Sequence, residues 1–351
     1  LDQSRFTPSY GSPYAGQDTS MNYWTLPMDI TNEEAIWEVL TQKVTVLNGK
    51  SFAQPEKTQI TLRKEPDTGS EGVGVCTCET QAVHVLERGA DWSLIECYSS
   101  SFHDSKILNW NALVQGYVQT KYLKEITPNQ EMGMVIDKLT QRLYLFKDGK
   151  LLTTLLVSTG TSNPIQPYNE TRSGEFLLTS KVGDFKSDNM TCRMALRFNS
   201  GDLLHEVPYV YSRTDAGYKK QETALGTRAS HGCIRVQRKK TPEGVNMEWI
   251  YKHHKKNTKL IIWEDWQGRQ ISYPSDDTPV YYNPGKGQNY HSQATCYAAP
   301  KITFEAFTYG ELDDEALALL AKASKTRLVR MNESGQVFFD TSGENGTFLH
   351  Q

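Results

Sequence analysis

The chain has 351 residues, enough for two or three domains, and its 38 Lys and Arg against 41 Asp and Glu leave a net charge of −3. An apolar content of 38% with 23% charged residues lies in the globular range, which excludes disorder of the whole chain and nucleic-acid binding driven by bulk charge. No apolar run reaches the length of a membrane-spanning helix, and the six cysteines (76, 78, 97, 192, 233 and 296) are too few for a disulfide-stapled scaffold.

The first 25 residues, rich in Ser, Thr, Gly, Pro and Tyr, read as an extended arm. Thr31 followed by Glu34 fits a capping box, and Ala35, Ile36, Val39 and Leu40 then recur at helical spacing, so a short helix is expected to lead into the strand VTVLNG. From about 57 to 125 the pattern changes to short, near-alternating strands between Gly, Asp and Pro turns, with Val85, Trp92, Leu94 and Val118 as core candidates. The segment 99–115 is expected to be a long loop before the last of these strands. An L-R-x-x-P opening, a central V-x-V-L-x-x-G-x-D-W-S-L-I and a closing G-Y-V-x-x-x-Y-L resemble a bacterial SH3-like domain.

Next come two alternating segments joined at Asp148-Gly149, a dipeptide suited to a type I′ hairpin turn. GEFLLTS, CRMALRF and LIIWE are further strands, and Pro242 suits the first turn of a helix expected from near Thr241 to His254. The last 85 residues carry no chemistry-bearing motif; ITFEAFTYG reads as a strand, DDEALALLAKASK as an amphipathic helix, and RLVRM with QVFFDT as a hairpin.

The chemistry concentrates in Ser230-His231-Gly232-Cys233-Ile234-Arg235. A lone cysteine is commonly a small buried apolar residue. Here a glycine permits a tight turn that converges backbone N–H groups, and a cation two residues on favours the thiolate. The segment 219–256 carries ten Lys or Arg against three Glu, which reads either as a solvated basic face or as a field that favours an anionic nucleophile or substrate. A zinc site on His231, Cys233 and His253 or His254 lacks the paired-cysteine spacing of such sites, and no dinucleotide fingerprint is present, so neither metal nor cofactor is expected.

S-H-G-C-I-R resembles the signature of the L,D-transpeptidase (YkuD) catalytic domain, a peptidoglycan-remodelling family. The hairpin VIDKLTQRLYLFKDGKLLTTLLVSTG, the run from Arg172 to Phe176 in place of Thr-Pro-x-Gly-x-Phe, and the strand TKLIIWE are similar to family elements. The resemblance implies a mainly β, multidomain chain. Residues 1–55 would form an arm and short helix, 56–125 a small SH3-like β-barrel, 130–266 a YkuD-type β-sandwich with one or two helices, and 267–351 a small α+β accessory extension.

It further implies a cysteine acyl-enzyme that cleaves before the terminal D-Ala of a stem tetrapeptide and forms 3–3 crosslinks, in the service of cell-wall biogenesis and cell shape. Cys233 would be the nucleophile and His205 its base. Backbone N–H groups of His231, Gly232 and Cys233 would form the oxyanion hole, Ser230 and His231 would position the loop, and Arg235 would hold the tail of the stem peptide or help to order the loop. The implied partners are peptidoglycan stem peptides and glycan, with carbapenem-type covalent inhibitors, and no nucleic acid. The implied address is the cell envelope outside the cytoplasmic membrane, by secretion or by an anchor outside this chain.

Two features depart from the family pattern. Glu206 replaces the usual glycine after the first histidine, where it would orient His205 or contact a donor amine. The 24-residue spacer from His205 to Ser230 is long and reads as an enlarged lid or substrate loop. With water as acceptor the same acyl-enzyme would make an L,D-carboxypeptidase, and a degenerate site would leave a wall-binding scaffold. Cys233 should be a free thiol, and a Cys76–Cys97 or Cys78–Cys97 disulfide is expected.

Overall fold

The computed structural model describes residues 30, 32–138, 140–161 and 166–263 continuously, together with short stretches between 277 and 348. The N-terminal arm, the helix read over DDEALALLAKASK and Cys296 lie outside the described residues.

The first helix, α1 (Glu33–Thr41), is capped by Asn32, whose side chain accepts from the Ala35 N–H, so the cap lies one residue later than the Thr31-Glu34 pairing predicts. The chain then builds a seven-stranded sheet from β1 (Val44–Leu47), β2 (Gln59–Arg63), β3 (Gly72–Thr77), β4 (Ala82–Arg88), β5 (Trp92–Ser100), β6 (Trp110–Gln119) and β7 (Leu123–Ile126). Its strand order is β3-β2-β6-β5-β4-β1-β7. Leu47, Leu62, Val73, Ile95, Val114 and Val118 fill its core with Cys76, Cys78 and Cys97, while Trp92 and Leu94 are only half-buried.

Two expectations change here. The connection between β5 and β6 is 101–109, shorter than the expected 99–115, because Ser99 and Ser100 stay in β5 and residues 110–115 already belong to β6. There the Ser99 hydroxyl receives the Val75 N–H and the Ser100 hydroxyl donates to Gln81, so polar residues are satisfied inside a sheet. The five described cysteines are free thiols, so neither expected disulfide forms. Cys76, Cys78 and Cys97 instead pack as small apolar side chains, with the Cys76 thiol donating to the Thr77 carbonyl at 3.8 Å.

The second sheet comprises β8 (Met132–Asp137), β9 (Arg142–Lys147), β10 (Lys150–Ser158), β11 (Gly174–Leu178), β12 (Ser180–Ser187), β13 (Met190–Asn199), β14 (Asp202–Glu206), β15 (Tyr209–Val210), β16 (Ile234–Val236) and β17 (Thr258–Trp263). The order is β11-β17-β8-β9-β10-β16-β14-β13-β12, with β15 on β13. The β9–β10 turn has φ of +49° at Asp148 and +85° at Gly149, the pair of left-handed residues that a type I′ turn requires. Two helices belong to this unit, α2 (Asp215–Glu222) in the long spacer and α3 (Met247–His253). The latter begins six residues beyond Thr241, because Gly244 at φ +81° closes a separate turn and Asn246 supplies the cap.

Alternation explains why β17 is apolar on both sides. Leu260 and Ile262 join the main core with Met134, Leu143, Leu145, Phe176, Leu204 and Ile234. Ile261 and Trp263 face the other way and, with Val135 and Phe146, receive Ile36 and Leu40 of α1. Buried Lys259 fastens that helix by donating to the carbonyls of Val39 (2.6 Å) and Gln42 (3.0 Å) while pairing with Glu175 at 3.3 Å. The two sheets meet where Val44, Val46 and Ala82 pack on Leu177. Beyond the second sheet, antiparallel pairs link 279–282 with 305–308 and 326–331 with 337–341, the latter being the expected hairpin.

Candidate active site

β14 and β16 run side by side and parallel, with Leu204 opposite Ile234, His205 opposite Arg235 and Glu206 opposite Val236. Cys233 immediately precedes β16. Leu204, Ile234 and Val236 point into the core, so alternation sets Cys233, His205 and Arg235 together on the other face. Diagonal neighbours on adjacent strands have Cα atoms about 7–8 Å apart, within reach of an imidazole.

His205 Nδ1 lies 2.7 Å from the Glu206 carbonyl. A carbonyl only accepts, so in the neutral ring Nδ1 carries the hydrogen and Nε2 keeps its lone pair. Burial lowers the His205 pKa to about 4; the Glu206 bond works against this and the charge of Arg235 adds to it. The Cys233 thiol is pushed up to about 12, chiefly by burial and then by the Asp202 carboxylate, against the Leu203 backbone N–H and Arg235. Both groups are therefore neutral at rest. Sγ lies 4.0 Å from the Gly201 carbonyl, and among the described residues no hydrogen bond joins it directly to His205.

The nucleophile loop is held through its carbonyls. The Thr161 N–H donates to the Ser230 carbonyl at 3.0 Å, and the Thr171 hydroxyl, itself receiving the Gly160 N–H, donates to the Gly232 carbonyl at 2.8 Å. In a trans peptide the C=O of one residue and the N–H of the next point in opposite directions. Fixing these two carbonyls thus aims the N–H groups of His231 and Cys233 away from the Thr161–Thr171 side. The Ser230 hydroxyl reaches over to the Cys233 carbonyl and closes the turn. Gly232 has φ +121°, and a Cβ there would drive into the Asp202 carboxylate, so the turn demands glycine.

Beneath the loop lies a buried charged layer. Arg172 pairs with Asp202 at 3.3 Å, donates to the Glu170 carbonyl at 3.1 Å and to the Ser101 carbonyl, and stacks its guanidinium on Phe102 at 4.0 Å. Ser101 and Phe102 belong to the N-terminal domain, which therefore reaches to the underside of the cysteine loop. Desolvation raises Asp202 to about 6 despite Arg172. Lys138 bonds Glu170 at 2.5 Å, and Arg228 lies 3.5 Å from the same carboxylate.

Of the residues expected at the site, Cys233, His205, Arg235, Ser230 and Gly232 converge, while the side chain of His231 belongs to an exposed residue. Glu206 turns its carboxylate towards Tyr218 (2.8 Å) and Arg193 (3.1 Å). Four members of the local basic excess are engaged in ion pairs: Arg228 with Glu170, Arg238 with Asp215 and Glu222, Lys252 with Glu248, and Lys255 with Glu131. Sequence reasoning missed Thr171, Asp202, Arg193 and Gln221. The one signal at hand was Arg172, a charge standing where the family pattern has proline.

Residues 132–262 match the family model for the YkuD L,D-transpeptidase catalytic domain, so this part of the chain is a YkuD-type catalytic domain, a cysteine-dependent enzyme class. Similar solved structures include a fused Zn-dependent amidase/peptidase/peptidoglycan-binding domain-containing protein from Clostridium acetobutylicum, 21% identical, covering 38% of this chain and 52% of that one with a TM-score of 0.27. Another is an L,D-transpeptidase from Stackebrandtia nassauensis, 19% identical, covering 39% and 58% respectively at 0.28. A third is an L,D-transpeptidase from Mycobacterium smegmatis, 17% identical, covering 64% and 92% at 0.30. The chain thus spans little more than half the length of the first two. No curated protein matches. Among the described residues no helix is long and apolar enough to cross a membrane.

Proposed function

We propose that the YkuD-type domain is a peptidoglycan L,D-transpeptidase with Cys233 as nucleophile and His205 Nε2 as base. The observation that carries this reading is the Nδ1 bond of His205 to the Glu206 carbonyl, which leaves a single basic nitrogen on the strand face shared with Cys233. In the first half-reaction Sγ attacks the carbonyl between the third stem residue and the terminal D-alanine, while Nε2 takes the thiol proton. The negative charge on oxygen meets the N–H groups of the loop at His231 and Cys233, the expected third donor at Gly232 being turned to the Ser230 hydroxyl at 3.3 Å. The C–N bond then breaks, D-alanine leaves with the proton from the imidazolium, and a thioester remains. In the second half a side-chain amine of another stem attacks the thioester and gives its proton to His205, and a 3–3 crosslink forms as the thiol is restored.

The same reading assigns the seven-stranded N-terminal domain, SH3-like in its sequence motifs, to wall binding, and places the protein in the cell envelope outside the cytoplasmic membrane. Carbapenems, as acylating β-lactams, should then modify Cys233. The test is incubation with a disaccharide tetrapeptide carrying diaminopimelate or lysine at position three, read by mass. A crosslinked dimer is expected. Tripeptide alone would indicate hydrolysis, and an unchanged substrate would refute the enzymatic reading.

A further inference from the structure

Arg235 is buried, and burial lowers its pKa. A guanidinium offers five N–H donors and needs anionic or multiple acceptors when taken out of water. Among the described residues, Arg235 makes no ion pair, and its hydrogen-bond partner is the Oε1 of Gln221, 2.8 Å from one terminal nitrogen. A neutral carboxamide oxygen therefore occupies the place where a carboxylate would compensate the charge. Arg235 itself lies two residues beyond Cys233 and opposite His205 across the β14–β16 ladder, and its charge bears on both groups.

Gln221 sits in the last turn of α2, inside the long spacer. The helix is poorly anchored by apolar burial, since Tyr218 is its one buried side chain. Polar latches hold it. Tyr218 donates to Glu206 and lies under Arg238 at 4.4 Å, and Arg238 grips Asp215 and Glu222 at 2.8 and 2.9 Å. An element attached by one aromatic ring and a few half-exposed polar contacts opens at low free energy.

We propose that Gln221 is a neutral stand-in for a ligand carboxylate at Arg235, so that α2 closes over the empty site and is displaced when a peptide carboxylate takes the guanidinium. Glu206 is then the positioning residue of the gate. Its carbonyl fixes His205 while its side chain seats Tyr218, so the base and the gate share one anchor. The proposal rests on the reading of Cys233 and His205 as the reacting pair only for its consequence in turnover, and its binding claim is separate. A free carboxylate would form a bidentate, charge-assisted pair that a carboxamide oxygen cannot match.

The test uses the full chain and diacetyl-L-Lys-D-Ala, with its C-terminal amide as control. Binding is read by calorimetry and the opening of 215–222 by hydrogen exchange. The acid should bind and speed exchange in α2, and the amide should do neither. Gln221→Glu, which supplies a tethered carboxylate, should weaken binding of the acid about tenfold or more and slow α2 exchange. Gln221→Ala should bind at least as tightly as wild type with faster exchange. Equal affinities for the acid in all three proteins would overturn the proposal, as would binding that leaves α2 exchange unchanged or an acid that does not bind. If these effects appear while Cys233 acylates nothing, the gate stands and the transpeptidase reading falls.

Discussion

Arg172 and Asp202 form an ion pair 3.3 Å across, both side chains almost wholly buried, at the point where the N-terminal domain meets the underside of the cysteine loop. Removing one member of such a pair leaves an uncompensated charge in the interior, which costs about 3–5 kcal/mol. Arg172→Met should therefore lower the unfolding free energy obtained from urea titration by an amount in that range, with a lower midpoint, and should also loosen 101–102 in hydrogen exchange. An unchanged midpoint would show that the pair is not sealed from water.

Asp202 and His205 make opposite demands on pH. Asp202 titrates near 6 in the folded protein against an ordinary 3.8, so the fold holds its proton more tightly and this group lowers stability as pH rises from about 4 to 6. His205 titrates near 4 against 6.5, so the fold rejects its proton and this group raises stability over nearly the same window. Each spans roughly 3 kcal/mol, and the two offset one another. His205→Phe should thus show stability falling from pH 4 to 6 relative to wild type, and Asp202→Asn should show the reverse. Urea titrations at a series of pH values measure both slopes, and parallel curves for all three proteins would refute the assignment.

A thiol near 12 beside an imidazole near 4 is a neutral pair. The rate of Cys233 alkylation by iodoacetamide should climb steadily from pH 6 to 9, by close to tenfold per unit, because the thiolate fraction is small throughout. A plateau below pH 8 would mean a resting thiolate–imidazolium pair instead.

Thr171 bridges the Gly160 N–H and the Gly232 carbonyl with one hydroxyl. Thr171→Val keeps the shape and leaves both groups unpaired, at a cost of about 1–3 kcal/mol in stability. Because the Gly232 carbonyl sets the direction of the Cys233 N–H, acylation by a carbapenem should slow by about tenfold or more, a fraction of the effect of deleting an oxyanion donor. Stopped-flow acylation combined with thermal melts separates the two effects. A variant that melts lower but acylates at the wild-type rate would remove Thr171 from the site.

Much of the fold was legible where local chemistry decides it. Asp148-Gly149 announces a turn because few residues tolerate two left-handed conformations in succession, and GEFLLTS, CRMALRF and LIIWE are legible as short apolar runs, the first and last of which become strands buried on both faces. Where long-range contacts decide, the sequence was mute. Ser99 and Ser100 read as loop because nothing local reveals the Gln81 and Val75 groups that satisfy them. A helix from 241 is expected because Pro242 is a good first-turn residue, whereas the turn at Gly244 that overrides it depends on a left-handed φ. Cys233 and His205 could be named from a motif and its flanks. Asp202 and Gln221 could not, since each matters only through a partner 30 and 14 residues away in sequence.

The clamp of Lys259 on α1 has a consequence for how the molecule is made. The Lys259–Val39 bond joins residues 220 positions apart, and the apolar seat for Ile36 and Leu40 is completed by Ile261 and Trp263. A nine-residue helix is too short to persist alone in water. The seat of α1 is therefore complete only when β17 is in place, with the whole seven-stranded domain lying between the two in sequence. Closure of the catalytic domain then draws the two ends together and leaves the N-terminal domain as a loop of chain cinched at its base. The last strand of the catalytic sheet is therefore also the lock on the first helix, so a chain that stops short of Trp263 would lose both ends of the enzyme at once.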